Sequence, residues 1–448
     1  MTCFRTYYRG IIVLLALSTA ISCRKEEPAI ISSNLDVLNH KLATEWYEAG
    51  ISTIGQINGY AEPIAARALS YIAYTMYETT IPVLPDYNSL QARVDGFQIT
   101  LPQVESGKEY HQAIIANQAL YELCLKMFAS AGQANMLKLL QLKDGFLKEF
   151  SSGQSQEVIL NSIELGSEIG KAIFQYSLTD QQNDAFLRNY PDYQMPVGEG
   201  FWIPTPPDYT EKVLLPTWGK VRPFSKSNVD NNFVSKRLDY SARQSSVIYS
   251  EAYEVYSSSI NLTDIQKGQI EYWNRSMDPH ASPVLHNMLL TIQLIKEKEL
   301  RFPLAMETLV KMSLAIHDSY IAAWKLKFEK NLLRPSSYIK QHISRFYVPE
   351  VHCIATPDFV SETAVIYSAA SQILSQTFGF RTPFMDFTQF HRIDLREKNK
   401  RFESFEAMAK EAAYTDILAG VHFRTSIDAG YEIGYDIANN ILRYPFKK

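Results

Sequence analysis

The chain has 448 residues, with 44 Lys and Arg against 48 Asp and Glu, for a formal net charge of −4. A mildly acidic balance excludes non-specific nucleic-acid binding, while leaving room for a small anion in a local basic pocket. Four cysteines are too few for a disulfide framework and lack metal-ligand spacing, so Cys124 and Cys353 read as core thiols.

The first residues read as a targeting segment. Arg5 and Arg9 form a basic start, and Ile11 to Ala20 an apolar run too short to span a bilayer comfortably. Small residues then lead to Ser22-Cys23. A cysteine in that place resembles a lipobox, with Ala20 where Leu is more usual, and predicts cleavage before Cys23 and lipidation of its thiol. Arg24-Lys25-Glu26-Glu27 resembles the charged signal that sends some lipoproteins to the cell surface. The competing readings are a plain secretory signal with an incidental Cys, or an N-terminal membrane helix. The apolar length and the downstream charge favour the lipoprotein. Residues 1–22 are then a signal peptide, 23–33 a lipidated tether, and 34–448 one helical domain on an outer-membrane lipoprotein. Its mature charge is −6, because two cations leave and no acid does.

Beyond the tether, helical periods dominate. Ile64 to Thr79, His111 to Phe128, Ala134 to Phe150 and Val158 to Gln175 carry apolar residues at three- and four-residue spacing. Gly166 and Gly170 leave room for a close helix neighbour. Asn183 to Asn231 is instead rich in Pro, Gly and aromatics, and predicts an excursion packed over the fold. Helical patterns resume at about Ser241. Alternating strand patterns are scarce, so the predicted class is all-α.

Three C-terminal segments within 306–442 could carry chemistry. In Met306 to Pro335, Leu309, Ile316, Tyr320 and Ala323 trace an apolar stripe, with Ser313, Tyr320, Lys327 and Arg334 seven apart beside it. Pro335 predicts that the helix stops at Arg334. A lone Lys/Arg pair is ordinarily a solvated basic face, but a core-facing pair suits an anion. In Thr356 to Gly379, Ser361 is a good N-cap, Glu362 suits the positive helix start and Gly379 ends the helix. In Glu403 to Leu442, one helix runs to about Leu418 and Gly420 breaks it. His422 stands in the turn, and a last helix carries Gly430, Gly434 and Ala438 for close packing. His422 alone is ordinarily a satisfied loop histidine.

Lys327, six residues, then Arg334-Pro335 is similar to the first signature of the vanadium haloperoxidase and type 2 phosphatidic acid phosphatase superfamily, and Asp318, Trp324 and Ser336 extend the likeness. Further segments such as PIAARALSYIAYTMYE, GEGFWIPTPPDY and LPTWGKVRPF also resemble family landmarks, so nearly the whole mature chain is covered. The resemblance implies two packed helical bundles with the site among the C-terminal helices. It also implies that Lys327, Arg334 and Ser361 grip an oxyanion and that His422 binds vanadium or becomes phosphorylated.

The likeness departs at four places. Glu362 and Thr363 stand where the family has Gly and His, Asp416 replaces its second Arg, and Ser426 the Asp that orients the ring. Thr cannot shuttle protons as imidazole does near neutral pH. Losing one charge-assisted contact costs about 1.5–3 kcal/mol, so oxyanion affinity should fall tenfold or more. The leading expectation is an impaired or inactive member with a binding or structural role, in which Glu362 or Asp416 pairs with Lys327 or Arg334 and no cofactor is held. The alternatives are an active haloperoxidase or phosphatase working through His422, with vanadate as cofactor and Arg392, Arg396 or Arg401 standing in, or a divalent-metal site of Glu362, Asp416 and His422. Otherwise no metal is expected, and His317, His352 and His391 read as ordinary. A membrane, through the lipid, is the one expected partner; the small ligand and any protein partner stay open.

Overall fold

The computed structural model describes residues 30–32, 40–91, 93–230, 238–274 and 281–448. The expected signal peptide, Cys23 and all of the tether except Ile30–Ser32 lie outside them. Among the described residues no helix is long and apolar enough to cross a membrane.

The fold is all-α, as expected. The first bundle holds α1 (Lys41–Ile54), α2 (Glu62–Thr80), α3 (Gln112–Met127), α4 (Gln133–Phe150) and α5 (Gln156–Leu178). Connecting helices α6 (Ser227–Asp230), α7 (Val247–Ile260) and α8 (Asp264–Trp273) lead to the second. That one contains α9 (Pro283–Glu297), α10 (Phe302–Lys330), α11 (Pro335–His342), α12 (Glu362–Phe378), α13 (Phe405–Leu418) and α14 (Arg424–Leu442). Two short strand pairs complete the described chain: β1 (Ile30–Ser32) runs parallel to β2 (Glu109–His111), and β3 (Phe384–Asp386) antiparallel to β4 (Lys400–Phe402).

The two bundles share one core because α2 and α10 are buried nearly all round and lie antiparallel against each other. Thr80 meets Met306 at one end of the pair, and the Tyr320 hydroxyl donates to Glu62 at the other. On α10, Ser313 bonds the Tyr47 hydroxyl, so the expected apolar stripe is indeed internal. Close packing of α14 on α12 depends on the missing side chains of Gly430 and Gly434. A Cβ on either would strike the Ser361 or Val365 carbonyl. This contact brings the His422 turn to the start of α12.

Two local expectations need correction. Helix α10 ends at Lys330, four residues before Arg334, because Asn331 adopts left-handed geometry (φ 49°) and caps it. Pro335 opens the next helix at its first position, and Arg334 is that helix's N-cap residue in extended backbone. The helical pattern that resumes near Ser241 begins at Val247, where the Ser246 side chain accepts from Tyr249 N. Cys124 is buried as expected, whereas Cys353 is only half-buried.

Loop 183–230 packs over the bundles, and Asp318 holds its last stretch. That buried carboxylate accepts from Phe224 N, Ser225 N and Asn228 Nδ2 at 2.8–2.9 Å. Burial pushes the Asp318 carboxyl up from 3.8 to about 7, with the three donors pulling it back. Between those values the folded protein keeps a proton that the unfolded chain has released. Stability from this group is therefore fully present below the unfolded value and is lost as pH rises toward 7. Unfolding in denaturant should accordingly show Asp318→Asn losing a pH 5-to-8 decline on the order of 2 kcal/mol that the wild type retains. Equal declines in both proteins would refute this.

Candidate functional site

Residues predicted from three separate segments meet at the start of α12. Lys327 comes from the last turn of α10, Arg334 from the N-cap of α11, Ser361 and Glu362 from the start of α12, and His422 from the turn before α14. All five are fully buried.

Glu362 occupies the centre of this group. Its Oε2 lies 2.9 Å from Lys327 Nζ and 3.3 Å from His422 Nε2. Lys327 also donates to the Pro357 and Asp358 carbonyls at 3.0 and 3.2 Å. Burial pushes the ammonium down to about 8; the nearby Glu362 carboxylate raises it and the Arg334 guanidinium lowers it. Arg334 is equally committed. It donates to Thr356 O, Thr356 Oγ1 and Val421 O at 2.9–3.1 Å, and Nη1 reaches His422 Nε2 at 3.3 Å.

The second acid takes a different partner from the one expected. Asp416, near the end of α13, receives the Ser361 hydroxyl at 2.8 Å and the Thr363 hydroxyl at 3.4 Å. Ser361 Oγ in turn accepts from Ala364 N, the cap anticipated from sequence. The hydroxyl expected to face an oxyanion is thus directed at a carboxylate. Of the anticipated pairings of Glu362 or Asp416 with Lys327 or Arg334, the Glu362–Lys327 pair is the one formed.

One functional residue went unnoticed in the sequence. Asp358 Oδ1 lies 3.0 Å from His422 Nδ1, and its other oxygen accepts from Ser426 Oγ. Asp358 therefore orients the ring, and Ser426, the apparent vacancy in the motif, anchors that carboxylate. The ring thus turns Nδ1 to Asp358 and Nε2 to both Arg334 Nη1 and Glu362 Oε2. The available sequence signal was an acid three residues before an N-cap, too common to single out. Thr356, which takes two contacts from Arg334, carried no sequence signal.

A cleft of about 540 Å³, open solvent included, lies beside the group. Its walls include Trp273, Thr363, Tyr367, Thr415, Asp416 and Val421, but not Lys327, Arg334, Ser361 or His422. The candidate stand-in cations are engaged elsewhere: Arg392 with Asp394, Arg401 with Glu403, and Arg396 in a separate cleft against α8. Among the described residues no group of His, Cys, Asp and Glu is arranged to hold a metal ion. Asp416 turns to Ser361 and Thr363, which breaks up the proposed Glu362, Asp416 and His422 set. Of the histidines read as ordinary, His317 is buried against the Arg222 carbonyl and His352 pairs with Asp208.

Residues 345–445 match the family model of the VCPO second helical-bundle domain. Over 90% of its length the chain superposes on 96% of a crystal structure described as the first bacterial vanadium-dependent iodoperoxidase, with a TM-score of 0.76 and 25% identity. The chain has the fold of the vanadium haloperoxidases. A holo-type bacterial vanadium-dependent chloroperoxidase aligns over 92% of this chain and 98% of its own, with a TM-score of 0.62 and 12% identity. Its apo-type counterpart covers 86% of this chain and 94% of its own, with a TM-score of 0.58 and 13% identity. Both likenesses are of fold alone. No curated protein matches the chain in sequence. Vanadate, which this fold implies, does not fit the residues present: a carboxylate already faces the Lys327 ammonium and the His422 ring, and a second anion there would meet it without water to screen the repulsion.

Proposed function

We propose that this chain is a catalytically silent member of the superfamily, one whose oxyanion cradle is filled by its own Glu362 carboxylate, and that it acts as a binding or structural protein. The observation that carries this reading is the placement of Glu362 Oε2 between Lys327 Nζ and His422 Nε2 in a fully buried setting. A carboxylate tethered by the backbone costs no association entropy, so it competes well against any free anion. The N-terminal segment supports an outer-membrane lipoprotein, anchored through Cys23 and displayed at the cell surface by its charged tether.

A weak enzyme is the second reading, favoured by one observation: His422 keeps its orienting carboxylate, Asp358. For His422 to act as a nucleophile, Glu362 would have to leave Lys327, and a second guanidinium would have to arrive.

The deciding assays are iodide and bromide oxidation by hydrogen peroxide after vanadate loading, and p-nitrophenyl phosphate hydrolysis. Both should stay at background. Turnover that disappears in His422→Ala would overturn the silent reading and establish the enzymatic one.

A further inference from the structure

We propose that the loop joining β3 to β4 is a membrane-seating tip that places Phe387, Phe390 and Ile393 in the headgroup region of a phospholipid bilayer containing anionic lipid. The inference rests on the reading that the chain is held at a membrane through Cys23.

Three large apolar side chains stand at every third position of this loop, 43%, 66% and 91% exposed in turn. Between them Gln389 and Arg392 are buried, at 1% and 3%. At these five positions the apolar side chains face outward and the polar ones inward, although His391, Asp394 and Arg396 are also exposed and Leu395 is buried.

The tip is also held firmly. Phe390 N and Arg392 N donate to the carbonyls of Phe387 and Gln389, closing two turns. Asp386, at the end of β3, accepts from both the backbone and the hydroxyl of Thr388, from Tyr272 and from His286 on α9. Gln293 of α9 grips Met385 O and Phe387 N. A preformed apolar tip loses little conformational freedom on insertion.

The position of the tip relative to the start of the chain identifies the occupant. One turn beyond Gln293, Lys296 pairs with Glu48 of α1, so α9's last turns touch both the base of the tip and the middle of α1. The first described residues connect to this region through a relay of contacts. Strand β1 pairs with β2, Gln112 beside β2 donates to Thr79 O, and Thr80 meets Met306 just after the α9–α10 turn. Cys23 precedes Ile30 by seven residues, a reach of at most about 25 Å. A lipid on Cys23 would thus hold this region against the bilayer. Arg381, Arg396 and Lys398 flank the tip and suit anionic headgroups; of the loop's two acids, Asp394 is paired with Arg392 and Glu397 stands exposed between Arg396 and Lys398. The cleft beside Thr363 opens at the other end of α12 from Phe378, which packs toward the β3 side against Phe405, itself stacked on Phe384.

The test uses mature protein purified from membranes and reconstituted in phosphatidylethanolamine–phosphatidylglycerol vesicles with brominated acyl chains. Phe390→Trp should add fluorescence that brominated lipid quenches by about half or more. Leu187→Trp, similarly exposed beside the opposite end of α2, should add fluorescence that is not quenched. Two results would overturn the tip: equal lack of quenching in both variants, or a Phe390→Trp signal already blue-shifted without vesicles, which would mean burial against a second copy. The mass of the N-terminal peptide from the same sample reports separately whether Cys23 is acylated. A quenched tip on unacylated protein would sink the anchor and keep the tip; an acylated protein with an unquenched tip would do the opposite.

Discussion

Replacing Glu362 with glycine should lower stability by about 3 kcal/mol and make the protein respond to vanadate, as the wild type does not. The loss follows from burial: Lys327 keeps its two carbonyl acceptors but no longer has the counter-charge 2.9 Å away. The gain follows from the vacated space. An anion that binds only the folded form stabilises by about 2.7 kcal/mol at a hundredfold excess over its Kd, so vanadate should restore most of what the substitution removes. Adding Thr363→His and Asp416→Arg supplies a proton donor and a second cation, and releases the Ser361 hydroxyl from Asp416. Vanadate affinity should therefore appear in the single variant and rise in the triple variant, with turnover, if any, only in the triple. Thermal unfolding with and without vanadate measures this. Equal vanadate stabilisation of wild type and Glu362→Gly would show that the carboxylate does not fill the cradle.

Breaking the same pair from its other side should show strong coupling. Lys327→Met strands a buried carboxylate and Glu362→Gln a buried ammonium, each at a cost of about 3–5 kcal/mol. The double variant removes both charges together and should cost well below the sum, with a coupling of about 2 kcal/mol or more. Denaturant unfolding of all four proteins closes the cycle. Additive losses would mean that the two groups do not stabilise each other, which the 2.9 Å contact does not allow.

Much of the fold is local and was legible for that reason. Ser361 announced the start of α12, Gly379 and Gly420 its end and the break after α13, and apolar spacing revealed α2 to α5 within a few residues. The error at the end of α10 is instructive. Pro335 restricts only the residue before it, whereas the helix stopped where Asn331 could turn left-handed and accept the chain reversal. Family signatures brought Lys327, Arg334, Ser361 and His422 together, and the structure does place them within one buried group. What the signatures misjudged was Ser426: the orienting carboxylate comes from Asp358, sixty-four residues before His422, and a motif read along the chain has no access to such a distant acceptor.

By itself, the sequence determined the helical class, the caps and breaks, and an inventory of two cations and two intruding acids around one histidine. Only the tertiary structure decided how that inventory is paired. Lys327 could have met either acid. The close approach of α14 to α12 and the burial of the first turn of α12 put Glu362 on Lys327 and turned Asp416 toward Ser361 and Thr363. Charge pairing depends on distance and on exclusion of water, and both are set by how helices pack rather than by the order of residues along them.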